Sequence, residues 1–201
     1  MRLERSFFER HTPSVARDLL GCTLVRKSGR RVISGRIVEV EAYRGSDDPA
    51  SHSYRGKTAR NSLMFGEAGH VYMFFIYGNH WCLNFTAEPE GRKPGAVLVR
   101  ALEPVEGIGE MAKNRGTSDT VSLTNGPGKL TQALGIDGSF YGEDLVTSER
   151  LFVLSAESPV RRAVSSRIGV SQGHEQKWRY FVKGNRFVSK GYPSRVKDVS
   201  E

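Results

Sequence analysis

The segment that most constrains this chain is residues 70–85, HVYMFFIYGNHWCLNF, two runs of β-branched and aromatic residues meeting at Gly78-Asn79. Both turn residues tolerate positive φ, so the pattern predicts a tight antiparallel hairpin with a two-residue turn. Such a turn pairs Tyr77 with His80, Phe74 with Leu83 and Met73 with Asn84. Alternation sends Tyr72, Phe74 and Ile76 to one face and Val71, Met73, Phe75 and Tyr77 to the other. Both faces are apolar, so most of the hairpin belongs in buried sheet, and Asn84 there must find hydrogen-bond partners. Tyr77, at the edge of the turn, is the ring placed to project. The chain carries 30 Lys+Arg against 22 Asp+Glu, a net charge of +8. A projecting ring on a basic protein suits wedging into nucleic acid. The cations are spread over 26–31, 55–60, 161–162 and 177–179 and are not gathered in one tail, which predicts a folded basic face toward a polyanion.

At 201 residues, with 38% hydrophobic residues and 22 glycines, the chain has enough apolar matter for one substantial core. It is read as a single domain over 1–201, with a polar tail from about 190. The N-terminus alternates charge with apolar residues and lacks a signal-peptide core, and no apolar run approaches membrane-spanning length. Cys22 and Cys82 each lie in an apolar stretch, which predicts two buried thiols in a reducing compartment. No Cys/His spacing resembles a zinc site.

Thr12-Pro13 and Gly21 bracket a helix over 12–21, with Thr12 as the cap. Strands follow over 22–27 and 31–43, joined at Ser28-Gly29. Residues 44–69 form a long loop of the kind that is usually functional in a compact domain. After the hairpin come a strand over 96–102, a weak helix within 103–116, a helix within 124–135, and closing strands over 151–154 and 179–188. Strands and helices without βαβ alternation predict an α+β fold on a curved, largely antiparallel sheet with flanking helices.

In RIVEVEAY, alternation places Ile37, Glu39, Glu41 and Tyr43 on one face, opposite a core face of Val38, Val40 and Ala42. Two carboxylates on a strand most often face water. Glu39 and Glu41 at i,i+2 also allow a carbohydrate-glycosidase pair. Asp47, Asp48 and His52 with Glu41 match no metal-ligand spacing, whereas Arg55, Lys57 and Arg60 in the same loop suit phosphate. Arg100, a cation within AVLVRAL, needs a carboxylate partner such as Glu41 or Glu39.

VEVEAY, DDPASHS, Arg60-Asn61, Met64-Phe65, YMFFIYGNHWCLN, VLVRALEP and NGPGKLTQALGI occur in that order. Together they closely resemble the alkyladenine (3-methyladenine) DNA glycosylase family from about residue 12 to about 188. The resemblance implies one α+β domain with a protruding, DNA-inserting hairpin. It implies a monofunctional enzyme that removes damaged purines from double-stranded DNA by base flipping, with no cofactor, no metal and no strand cleavage. By the same resemblance Glu41 is the general base that activates water, and Arg100 helps to place it. Tyr43, His52 and Phe74 sandwich the extruded base, and backbone at Ala50 and His52 meets its edge. Asn84 excludes guanine, Tyr77 is the wedge, and Arg60, Asn61 and Asn79 contact DNA. Phe74 stands where many members have tyrosine, Asn79 where a methionine is expected and His80 where a tyrosine is frequent. A non-catalytic damaged-DNA-binding module of the same fold is the alternative. The protein is expected to be monomeric, away from membranes, and cytoplasmic with the nucleoid.

Overall fold

The computed structural model describes residues 1–76 and 78–190; Tyr77 and the tail from 191 lie outside the described residues. In chain order the elements are α1 (Arg5–Phe8), α2 (Thr12–Leu19), β1 (Thr23–Ser28), β2 (Arg31–Arg44), β3 (Val71–Ile76), β4 (His80–Ala87), β5 (Gly95–Glu106), α3 (Ile108–Arg115), α4 (Pro127–Leu134), β6 (Leu151–Leu154), β7 (Arg162–Ser165) and β8 (Arg179–Val182). All strands join one antiparallel sheet in the order β3-β4-β5-β2-β1-β6, with β8 alongside β2 and β7 beyond β8. This is the expected α+β fold with a curled antiparallel sheet. Among the described residues no helix is long and apolar enough to cross a membrane.

The main core lies between one sheet face and the helices. Val15, Ala16 and Leu19 of α2 and Leu130, Ala133 and Leu134 of α4 pack on Ile37, Val40, Leu83, Phe85 and Val99. Each fully buried Val, Leu, Ile or Phe side chain among them contributes about 1.5–3 kcal/mol of transfer free energy. Pro13 opens α2 as expected, but Thr12 does not cap it. Its backbone N–H and hydroxyl instead donate to buried Glu88, at 2.8 and 2.9 Å. Cys22 and Cys82 are both free and buried.

The hairpin register differs by one from that expected of a two-residue turn. The strands close on Ile76–His80, and the pairs run Phe75–Trp81, Phe74–Cys82, Met73–Leu83 and Tyr72–Asn84. Because side chains alternate with period two, this slip decides which face Asn84 joins. It stands with Tyr72 and Phe74, not with core-facing Met73.

β2 changes partner along its length, and this is where the sheet curls. It pairs with β1 over 31–36 and with β8 over 39–41, keeping β5 on its other side. A bulge lies between Ile37 and Val40. Bulges bend a strand and offset its alternation, so Ile37 joins Val40 and Ala42 in the main core. Val38 turns to the other side, against Ala101 and Phe187. The expected grouping of Ile37 with the glutamates is thus corrected, while Glu39, Glu41 and Tyr43 remain together. Glu103–Glu106, read within a weak helix, extends β5; Pro104 is accommodated opposite Gly35, where the ladder shifts register. β7 had no clear sequence signature, and the last strand is shorter than 179–188.

Candidate active site

Glu39 and Glu41 are fully buried, not solvated, because the Arg179 side chain from β8, the segment 165–168 and Ser189 close over their face of β2. Glu39 is fully engaged. Its Oε1 accepts from Arg100 Nε at 3.1 Å, Arg179 Nε at 2.7 Å and the Ser189 hydroxyl at 2.9 Å, and its Oε2 accepts from the Ser189 N–H at 2.6 Å. A carboxylate so occupied has no acceptor left for a substrate sugar, which removes the paired-glycosidase reading of Glu39 and Glu41.

Glu41 is held differently. Its Oε2 accepts from the Tyr43 hydroxyl at 2.8 Å and from Arg100 Nη1 at 3.2 Å, and its Oε1 from the Ile168 N–H at 2.7 Å. Tyr43, Arg100 and Ile168 all line one cavity of about 700 Å³. Glu41 is therefore one layer behind the cavity floor, and the groups that separate it from the cavity are its own donors. Burial acts to lower the Arg100 pKa, but Glu41 and Glu39 outweigh it and hold the guanidinium above its ordinary value. Burial, and then the Glu41 charge, push the Tyr43 hydroxyl well above its usual range, so it keeps its proton and donates.

One wall comes from the hairpin face carrying Tyr72, Phe74, Ile76, Cys82 and Asn84. His52, from the long loop, stacks on Phe74 with ring centres 4.1 Å apart and planes tilted by 35°. Its Nδ1 lies 3.0 Å from the Tyr72 hydroxyl. Burial, and secondarily Arg60, lower the His52 pKa below its ordinary value. Asn84 is buried, and its amide donates to the carbonyls of Tyr72 at 3.0 Å and Cys82 at 3.2 Å, which fixes its plane. Burial pushes the Cys82 thiol up to about 11, so it lines the wall as a neutral group. Two cations, Arg115 and Lys129 at the start of α4, also line the cavity.

Ala50 lines the cavity, but its N–H already donates to Asp48 Oδ1 at 3.1 Å. Arg60 is exposed, with its guanidinium 4.1 Å from the Phe74 ring centre and Nη2 donating to the Phe75 carbonyl at 3.3 Å. Asn79 is exposed in the hairpin connection. Asn61 is not at the surface. It is buried, accepts from the Thr58 N–H at 2.6 Å and donates to the carbonyls of His52 at 2.8 Å and Gly56 at 3.0 Å. Its side chain braces the His52 loop. Tyr77 lies outside the described residues. Among the described residues no three His, Cys, Asp or Glu gather as a metal site.

Sequence reasoning missed Tyr72, Asp48's structural role, Arg167, Ile168 and Arg179. Tyr72 was readable as sharing a face with Phe74. The others depend on contacts across more than a hundred residues, which no local pattern announces.

The model of the methylpurine-DNA glycosylase family matches residues 6–186. A protein of Chlorobium phaeovibrioides named "Putative 3-methyladenine DNA glycosylase" is 47% identical over 96% of this chain and 99% of its own length. Proteins of the same name from Methanoculleus marisnigri and Salinibacter ruber are each 48% identical, over 94% and 96% of this chain and 100% and 98% of their own lengths. These matches set the chain among the DNA glycosylases, hydrolases of DNA repair. More narrowly, it belongs to the methylpurine-DNA glycosylase family.

Proposed function

We propose that this protein hydrolyses the N-glycosidic bond of damaged purines of the 3-methyladenine, hypoxanthine and ethenoadenine class in duplex DNA, and so initiates base excision repair. The observation that carries this is the placement of Glu41, a fully buried carboxylate whose three donors, Tyr43, Arg100 and Ile168, all line the cavity.

A stacked base cannot be reached in the duplex, so the nucleotide is extruded, which costs a few kcal/mol. Stacking on Tyr43 and on the His52–Phe74 pair offsets that cost. Tyr77 fills the vacated step as a wedge. Glu41 takes a proton from water, the water oxygen bonds to C1′, and the C1′–N bond breaks with its electron pair leaving on the purine nitrogen. Arg100 orients the water and steadies Glu41. The nucleophile is water, so the phosphodiester backbone stays intact and the enzyme is monofunctional. The fixed Asn84 amide stands against a purine carrying an exocyclic 2-amine and disfavours guanine. Ala50 offers its carbonyl to the base edge, because Asp48 already holds its N–H. Exposed Arg60 and Asn79 contact the DNA backbone. The protein acts as a monomer on double-stranded DNA.

The test is release of free base from a hypoxanthine-containing duplex under single turnover. Glu41→Gln is expected to slow release by about 10²–10⁴-fold, the usual worth of a positioned general base, while duplex binding persists. Binding without base release by the wild type would establish the non-catalytic damaged-DNA-binding module instead.

A further inference from the structure

Arg167 and Asp48 are both completely buried. A cation and an anion out of water are tolerated only when nearly every contact is made. Arg167 Nη1 donates to Asp48 Oδ2 at 2.6 Å and to the Ala42 carbonyl at 2.9 Å. Its Nη2 donates to Asp48 Oδ1 at 2.7 Å and to the Gly173 carbonyl at 3.1 Å. The guanidinium also lies 4.7 Å from the Tyr43 ring centre and 5.4 Å from that of Trp178. Asp48 further accepts from the backbone N–H groups of Arg44 at 3.0 Å and Ala50 at 3.1 Å.

These contacts converge on the cavity. Ala42 sits between Glu41 and Tyr43 in the chain, and Ile168, whose N–H reaches Glu41, directly follows Arg167. β2 needs no such fastening, since it is laddered to β5 on one side and to β8 on the other at Glu39–Glu41. What the pair fastens is the irregular segment after β7, which supplies Ile168, Gly169 and Val170 to the cavity wall.

We propose that the Arg167–Asp48 pair is the positioning element of the reaction, holding the Ile168 amide on Glu41, the Tyr43 ring in its stacking plane and the Ala50 backbone at the base edge before DNA arrives. This rests on the glycosylase function proposed above. The pair touches no reacting atom and acts through Ile168, Tyr43 and Ala50.

Three variants perturb it in different ways. Asp48→Asn keeps the shape and removes the charge. Arg167→Lys keeps the charge and loses the two-pronged fork. Gly173→Ala changes no charge, but its new Cβ would lie 2.7 Å from Gln176 Oε1, 2.9 Å from Arg167 Nη2 and 3.3 Å from Asp48 Oδ1 at a φ of +67°, which pushes against the pair as well as against Gln176. Arg5→Lys, in the Arg5–Asp144 pair outside the cavity, is the stability control. Each protein is measured for hydrogen exchange of the Ile168 amide, for single-turnover excision at saturating enzyme, for affinity toward a duplex with a non-hydrolysable hypoxanthine analogue, and for Tm. In the Asp48, Arg167 and Gly173 variants the Ile168 amide is expected to exchange at least about tenfold faster. Excision is expected to fall by about 10–100-fold, as a displacement of about 1 Å in a reacting geometry does, with affinity within about threefold. Arg5→Lys at comparable Tm loss is expected to change neither exchange nor excision.

Faster exchange with unchanged excision would overturn the proposal, and so would excision and affinity falling together in step with Tm. If the two charge variants do not fold, Gly173→Ala decides by the same criteria. A wild type that releases no base defeats the glycosylase function, while the exchange measurement still decides whether the pair fastens the Ile168 amide to Glu41.

Discussion

His52 shows how a single side chain acquires a defined proton. Burial pushes the Tyr72 hydroxyl up to about 12, so at neutral pH that oxygen carries its hydrogen. His52 is held below its ordinary value of 6.5 and is neutral there. Both groups are thus neutral and share one hydrogen bond of 3.0 Å, and Tyr72 donating to Nδ1 with the His52 proton on Nε2 is the arrangement we predict. The folded state disfavours the charged imidazole, so the contribution of His52 to stability is complete above about pH 6.5 and is lost as pH falls through its lowered folded value. ¹⁵N NMR is expected to show a His52 midpoint below 6.5 and the Nε2–H tautomer at neutral pH. In Tyr72→Phe the tautomer preference is expected to relax and excision of hypoxanthine to slow by roughly tenfold, the worth of one hydrogen bond of about 1 kcal/mol or slightly more. An Nδ1–H tautomer in the wild type would contradict this assignment.

At the scale of elements, two local irregularities make the site. The hairpin closes on Ile76–His80 and not on Tyr77–His80, which brings Asn84 beside Tyr72 on the cavity face. Had the two-residue turn formed, the period-two rule would have put that amide opposite Met73, over the core. The second irregularity is in β2, where bulges at 34–35 and 37–40 let the strand exchange β1 for β8. Gly35 is part of this device: a Cβ there would lie 2.9 Å from Leu102 Cβ and 3.2 Å from the Glu103 carbonyl. Gly35→Ala is accordingly expected to cost about 1–3 kcal/mol through overpacking, seen in calorimetry as a Tm lower by several degrees. An unchanged Tm would mean that the bulge yields freely.

For the whole molecule, the charge of +8 gains direction from the fold. Arg60 is exposed beside Phe74, and Arg115 and Lys129 line the cavity. Cations gathered about one opening suit the phosphates that flank an extruded nucleotide. Each phosphate neutralised on duplex DNA contributes about −0.9 to the slope of log K against log salt. Three such contacts predict a slope of about −2.7 for undamaged duplex, measured by anisotropy across a salt series. An affinity indifferent to salt would show that these cations do not meet phosphate.

By itself the sequence determined the parts with short-range signatures. The α2 punctuation at Pro13, the hairpin strands, the alternation that keeps Glu39, Glu41 and Tyr43 together, and the motif order that marks the family were all legible, because helix and strand periodicities act over a few residues. Asn61 was legible as a site neighbour but not as an internal brace, since a polar residue in a loop gives no sign of whether its partners are water, DNA or backbone. The tertiary structure alone decided that Glu39 is spent on Arg100, Arg179 and Ser189 whereas Glu41 is held by three groups, Tyr43, Arg100 and Ile168, that line a cavity. Glu39 and Glu41 are two residues apart and chemically the same. What separates them arrives from more than a hundred residues downstream, where Arg179 and Ser189 reach Glu39 and Ile168 reaches Glu41, and only the closed fold brings those groups within hydrogen-bonding distance.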